Sequence, residues 1–233
     1  MKSIIFIHIP KTAGTAFYNA VAKGISAYTM VRPKGTKHFI LNPCPKPAFV
    51  RGHIPYGFHQ YKPFQAFDYI SFLRDPIKRA ISHYYFVLEA KRADYIHPEW
   101  QRHHDTPLKD FFIGEKPRPR SFASLQSNLQ TRMLAGMNKG FNHKISDKKM
   151  LELAKDHLAN KVKAFGIQED FERSVALFAK TFGWETTIDI GHNWQKTKNK
   201  PKIDDDTMRS LENAHQLDLE LYEFAKQRFE QLI

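Results

Sequence analysis

Anion-holding chemistry is written first into Pro10-Lys11-Thr12-Ala13-Gly14-Thr15-Ala16, which follows an isoleucine-rich run. A tight loop entering a helix aims several backbone N–H groups at one point, and that arrangement holds phosphate or sulfate. Lys11 adds a full positive charge, Gly14 allows close backbone approach, and Thr12 and Thr15 offer hydroxyl donors. The lysine precedes the glycine, so this is not the nucleotide-triphosphate loop, in which lysine follows it. A plain strand–turn–helix with a surface lysine is the alternative. A second cluster is Arg74-Asp75-Pro76-Ile77-Lys78-Arg79-Ala80-Ile81-Ser82-His83-Tyr84-Tyr85. Here the Arg74 fork and the Ser82 hydroxyl suit a second, separate phosphate. Pairing of Arg74 with Asp75 is the structural alternative. Between the clusters lies Val50-Arg51-Gly52-His53, whose imidazole, with a free pKa of ~6.5, suits proton transfer. The chain has 12 histidines, so a structural role for any one of them is the default; His8, beside the first loop, is the nearest rival base.

Two further basic stretches have weaker meaning. Asn193-Trp194-Gln195-Lys196-Thr197-Lys198-Asn199-Lys200 is a late basic loop, and Lys116-Pro117-Arg118-Pro119-Arg120 is a Pro-rich one. Each reads as a solvated charge run or as an anion contact.

The elements that must position these residues follow from periodicity. Residues 3–9 are nearly all apolar and β-branched, as in a strand buried on both faces of a parallel sheet. A helix over about 15–23 follows, stopped by Gly24. Short strands are expected at 49–51, 68–73 and 164–167. A helix begins at Pro76 with a stripe through Ile77, Ala80, Ile81, Tyr84, Tyr85 and Leu88. Further helices are expected from 106, over 124–135, over 146–160 with Ser146 as cap, and over 170–182 ended by Gly183. The last runs over 204–232, broken near Asn213, with three aspartates at its positive end. Strands alternating with helices, without repeat or long linker, give one α/β domain over residues 1–233. Its central, mainly parallel sheet is flanked by helices.

Composition bounds the partners. Lys plus Arg is 36 against 24 Asp plus Glu, a net charge of +12 that favours anionic partners. Charge alone does not choose among nucleic acid, anionic membrane, nucleotide and acidic polysaccharide. The basic residues are scattered, with no long tail and no nucleic-acid motif. The single cysteine, Cys44, rules out an internal disulfide. With no apolar run near the ~18 residues a membrane span needs, and no signal-peptide core, a cytoplasmic location is expected.

Together the two clusters resemble those of the carbohydrate sulfotransferases that use 3′-phosphoadenosine-5′-phosphosulfate (PAPS). The nearest resemblance is to heparan sulfate and uronyl 2-O-sulfotransferase-like proteins, particularly short bacterial homologues. It covers residues 4–85 well and extends to Asn128-Leu129-Gln130-Thr131-Arg132, Phe165-Gly166-Ile167 and Leu217-Asp218-Leu219-Glu220-Leu221-Tyr222. The resemblance implies that Lys11, Thr12, Ala13, Gly14, Thr15 and Ala16 bind the 5′-phosphosulfate and that Arg74 and Ser82 bind the 3′-phosphate. It implies that Lys196, Thr197 and Lys198 close over the cofactor. The resemblance also implies a modified, P-loop-like α/β fold, with PAPS as the donor, adenosine 3′,5′-bisphosphate (PAP) as the product and no metal required. The 2-O-sulfotransferases carry His-Gly-His in the middle segment and draw their base from it. Here Arg51 replaces the first histidine and only the second remains, so the resemblance makes His53 the base and Lys11 its catalytic partner. The expected acceptor is a carbohydrate or glycolipid hydroxyl, acidic groups being compatible with the charge, with no nucleic-acid partner. A P-loop kinase is the first alternative and needs an acidic Mg²⁺ ligand at a strand end, where Asp75 stands. A basic nucleic-acid-binding protein is the second.

Overall fold

The computed structural model describes residues 1–34, 36–89, 91–92, 95–96, 100, 104–112, 127–136, 145–187 and 202–233. Along the chain run β1 (Ser3–Ile7), α1 (Gly14–Ala20), β2 (Thr29–Val31), α2 (Thr36–Leu41), β3 (Ala48–Gly52), β4 (Phe67–Leu73) and α3 (Pro76–Glu89). A short hairpin of β5 (Lys91–Arg92) and β6 (Tyr95–Ile96) follows, then α4 (Leu108–Phe111) and α5 (Leu129–Ala135). The chain continues with α6 (Asp147–Asn160), β7 (Val162–Ile167), α7 (Phe171–Phe182), α8 (Asp205–Ala214) and α9 (Gln216–Glu230).

Five strands form one sheet in the order β2-β3-β1-β4-β7, every neighbouring pair parallel. All residues of β1 are buried, because helices cover both faces. The period-2 alternation of a strand sorts them. Ile5 and Ile7 join Leu73, Phe165, Leu158 and Leu221 on one side, while Ile4 and Phe6 join Phe17, Phe72, Phe178 and Trp184 on the other. The α/β class and the parallel sheet are as the sequence predicts.

The differences from expectation are local. Helix α1 ends at Ala20, and the chain continues in turns through the expected stop at Gly24. Strand β2 and helix α2 have no clean periodicity and were not expected; β2 is only three residues and sits at the sheet edge. The Ser146 and Asp204 side chains cap α6 and α8 by accepting from Lys149 N–H and Thr207 N–H. Asp170 makes no such cap, and a short 3-10 turn over Gln168–Asp170 leads into α7 instead. The late helix is two, parted at His215, close to the expected break. Among the described residues no helix is long and apolar enough to cross a membrane.

Candidate anion and proton-transfer site at the sheet's C-terminal edge

In a parallel sheet every strand leads out at the same edge, so β1, β3 and β4 deliver their following loops side by side. The loop after β1 is held open by its own backbone. Lys11 and Ala13 both take positive φ, 69° and 60°, where a side chain is strained. Such left-handed residues turn successive N–H groups toward one concavity. The first bond of α1 runs from Phe17 N–H to the Ala13 carbonyl at 2.9 Å, so the N–H groups of Gly14, Thr15 and Ala16 lack a carbonyl one turn behind them. Thr15 and Ala16 are exposed. What fixes the loop from below is Phe17: it is fully buried, with ring centroids 4.6 Å from Phe178, 4.9 Å from Phe72 and 5.1 Å from Phe6. Burying one such ring contributes about 1.5–3 kcal/mol, comparable to the strain of the two left-handed residues.

Two expectations about this loop change. Thr12 is fully buried and its hydroxyl donates to the Ile9 carbonyl at 2.8 Å, so the hydroxyl braces the loop. Gly14 is required by a neighbour: a Cβ there would stand 2.1 Å from Cδ2 and Nε2 of His8. The small residue makes room for that ring. Gly14→Ala is therefore expected to lower stability by about 1–3 kcal/mol, the usual cost of overpacking. His8→Ala in the same chain should recover most of the loss relative to His8→Ala alone, as read by thermal unfolding. A Gly14→Ala protein as stable as the wild type would mean that the His8 ring does not occupy this space.

His8 lies just past the end of β1, not inside it. Its N–H donates to the Gly52 carbonyl at 3.1 Å, which ties the ends of β1 and β3 together. The return contact is the informative one: His53 Nδ1 lies 2.7 Å from the His8 carbonyl oxygen. A carbonyl can only accept, so Nδ1 carries the proton and Nε2 is the basic nitrogen of the neutral ring. The two imidazoles sit 4.7 Å apart. Burial, then the charges of His53 and Arg51, push the His8 imidazole down to about 3. His53 keeps an exposed edge, yet protein packed around the rest lowers its pKa as well; the His8 carbonyl opposes this and Arg51 adds to it. Arg51 itself lies over the Tyr18 ring of α1, 4.4 Å from its centroid. Desolvation, then the charge of Arg32, lower its own pKa.

Arg74, at the end of β4, joins the second cluster to the first. Its Nη1 donates to the Lys11 carbonyl at 3.0 Å. Asp75 does not pair with it as the alternative required: Asp75 Oδ1 accepts from Lys78 N–H at 2.8 Å and caps α3. The carboxylate beside Arg74 is Glu169, 4.0 Å from Nε. Burial lowers the Arg74 pKa, with Glu169 as the main opposing charge. Ser82 is half-buried two turns into α3, and one turn further Phe86 lies under Lys11 Nζ, 4.5 Å from the ring centroid. The structure thus brings Lys11, Gly14, Thr15, Ala16, Arg74 and His53 to adjoining loops at one edge. Lys196, Thr197, Lys198 and the 116–120 stretch lie outside the described residues. Sequence reasoning missed Glu169 and Gln130. Glu169 gives no signal; Gln130 lies in the 128–132 stretch, where the resemblance implies no role for it.

Comparison with known proteins bears on the whole chain. Chicken (Gallus gallus) heparan sulfate 2-O-sulfotransferase 1 is 26% identical over 255 residues, covering 97% of this chain and 70% of that protein. Mouse (Mus musculus) heparan-sulfate 6-O-sulfotransferase 2 is 25% identical over 282 residues, covering 97% of this chain but only 44% of that protein. Among solved structures, mouse sulfotransferase SULT7A1 complexed with PAP aligns with a TM-score of 0.45 at 14% identity, over 91% of this chain and 64% of that one. The family model described as "Sulfotransferase family" matches residues 1–225, a span that takes in the β1 loop, the β3 end and the β4 end alike, and the chain belongs to that family.

Proposed function

We propose that this chain transfers a sulfuryl group from PAPS to a hydroxyl of a carbohydrate-type acceptor, with His53 as general base. The observation that carries the reading is the bond from Arg74 Nη1 to the Lys11 carbonyl, because it joins two cationic loops into one anion cradle. One PAPS molecule carries two anionic groups at the spacing of a nucleoside. The β1 loop with Lys11 takes the 5′-phosphosulfate, and Arg74 with Ser82 takes the 3′-phosphate. Nε2 of His53 removes the acceptor proton as the hydroxyl oxygen attacks sulfur. The bond from sulfur to the 5′-phosphate oxygen breaks, that oxygen keeps the electron pair, and PAP leaves. Lys11 and the loop amides stabilise the charge growing on the leaving oxygen. The names of the two heparan sulfate sulfotransferases support a glycan acceptor. Arg51, beside His53, suits an anionic group on it. Lys196, Thr197 and Lys198 complete the reading as a closing loop over the 3′-phosphate.

The donor assignment has a direct test. PAP should raise the melting temperature, as any ligand of the native state does, and AMP should raise it far less because it lacks the 3′-phosphate. Arg74→Ala should narrow that gap. Equal stabilisation of the wild type by both nucleotides would sink the two-phosphate reading. Sulfuryl transfer itself is read by mass shift on a glycan panel supplied with PAPS.

A further inference from the structure

Two stretches that the reaction above does not use meet directly behind Arg74. The Asp218 carboxylate, on α9, accepts from Gln130 N–H at 3.2 Å, from Thr131 N–H at 2.7 Å and from the Thr131 hydroxyl at 2.7 Å. Asp218 N–H in turn donates to Asn128 Oδ1 at 3.1 Å. Asp218, Gln130 and Thr131 are all fully buried. A carboxylate from a distant helix thus occupies the N-terminus of α5, satisfying donors that a local cap would otherwise serve. Asn128, the residue at the local cap position, is left-handed and makes no side-chain cap bond.

The helix so fixed presents one side chain to the site. Gln130 Oε1 accepts from Arg74 N–H at 3.0 Å, and Gln130 Nε2 donates to the Arg74 carbonyl at 2.8 Å. One amide grips both backbone polar groups of one residue just as that residue leaves β4. This two-point clamp sets the direction in which the Arg74 side chain departs from the sheet. A glutamine amide offers a donor and an acceptor at this reach, side by side. Arg79, fully buried on α3, stands behind the arrangement, with Nη2 3.5 Å from His215 Nε2.

We propose that Gln130, oriented by Asp218, is a positioning residue for Arg74, through which helix α9 sets the chain's preference for a nucleotide bearing a 3′-phosphate. The inference rests on the reading of Arg74 as the 3′-phosphate contact. Gln130 never touches the ligand; it determines where the guanidinium stands when the phosphate arrives. Loss of a hydrogen bond to a charged group corresponds to about tenfold or more in affinity.

The test is a double-mutant cycle on affinity for PAP and for AMP, measured by calorimetry. Gln130→Met keeps the shape without the bonds, and Gln130→Glu keeps the acceptor while setting a carboxylate against the Arg74 carbonyl. Either variant that retains a cooperative melt serves. The PAP-over-AMP preference should fall about tenfold, AMP affinity should stay within about twofold, and Gln130→Met should add nothing once Arg74 is alanine. Asp218→Asn should give a smaller loss in the same direction. The proposal is overturned if Gln130→Met keeps the full preference, weakens both nucleotides alike, or adds in full to Arg74→Ala. A wild type with no preference for PAP is a different result: it removes the two-phosphate reading, and this inference with it.

Discussion

His53→Ala is expected to lower kcat by about 10²–10⁴, the usual range for loss of a general base, while PAP affinity stays nearly constant. The split follows from geometry. His53 is anchored through Nδ1 to the His8 carbonyl at 2.7 Å, and no phosphate contact is assigned to it. A group that acts only as the acceptor oxygen attacks contributes to the transition state and not to donor binding. The pH profile carries an independent mark. Because burial and Arg51 lower the His53 pKa, its neutral form persists below the ordinary ~6.5, and the acid limb of kcat/KM should lie below that value. Arg51→Ala removes one lowering charge and should move the limb toward higher pH. His8 is the control. With its pKa near 3 it stays neutral, but its ring is packed against Gly14, so His8→Ala should act on stability more than on chemistry. If His8→Ala abolishes turnover and His53→Ala does not, the base has been assigned to the wrong ring.

The parts of this molecule that were legible in sequence are those with strong local signals. The buried strand at β1 is a nearly continuous apolar run, and α3 starts at a proline with a helical stripe behind it. The two cationic loops are legible because each directly follows a strand. What was not legible depends on contacts distant in sequence. Nothing in the order of residues says that Gly14 is small because His8 lies over it. Nor does it say that Thr12 spends its hydroxyl on Ile9, since both facts come from the path of a strained loop. Glu169 reaches the Asp75 N–H beside Arg74 from 94 residues away, and Gln130 reaches Arg74 itself from 56, both through neighbouring elements that no periodicity records. The α9 cap on α5 is of the same kind. Strand β2 failed for another reason: a short edge strand has too few residues to show alternation.

Lys11→Ala should differ from His53→Ala by weakening donor binding and turnover together. Its ammonium is proposed to meet the phosphosulfate in the ground state and the growing charge on the leaving oxygen later. Removing one such stabilising group costs about 10²–10³ in kcat, and donor affinity should fall at least about tenfold. Before the donor arrives, Lys11 Nζ lies over Phe86, 4.5 Å from the ring centroid. A contact of that kind is worth about 0.5–1 kcal/mol when exposed, less than a charge-assisted bond to a phosphosulfate, so the side chain transfers to the ligand. The backbone at this position separates function from folding. Lys11 has φ 69°, which glycine adopts without strain. Lys11→Gly should therefore match or exceed the wild type in stability, by about 1 kcal/mol, and still share the turnover defect of Lys11→Ala. The carbonyl that receives Arg74 belongs to the main chain and survives both substitutions, so the second phosphate site stays in place. PAP should accordingly keep more of its advantage over AMP in Lys11→Ala than in Arg74→Ala. Near-native turnover in Lys11→Gly would show that the loop holds its shape for a reason other than this charge.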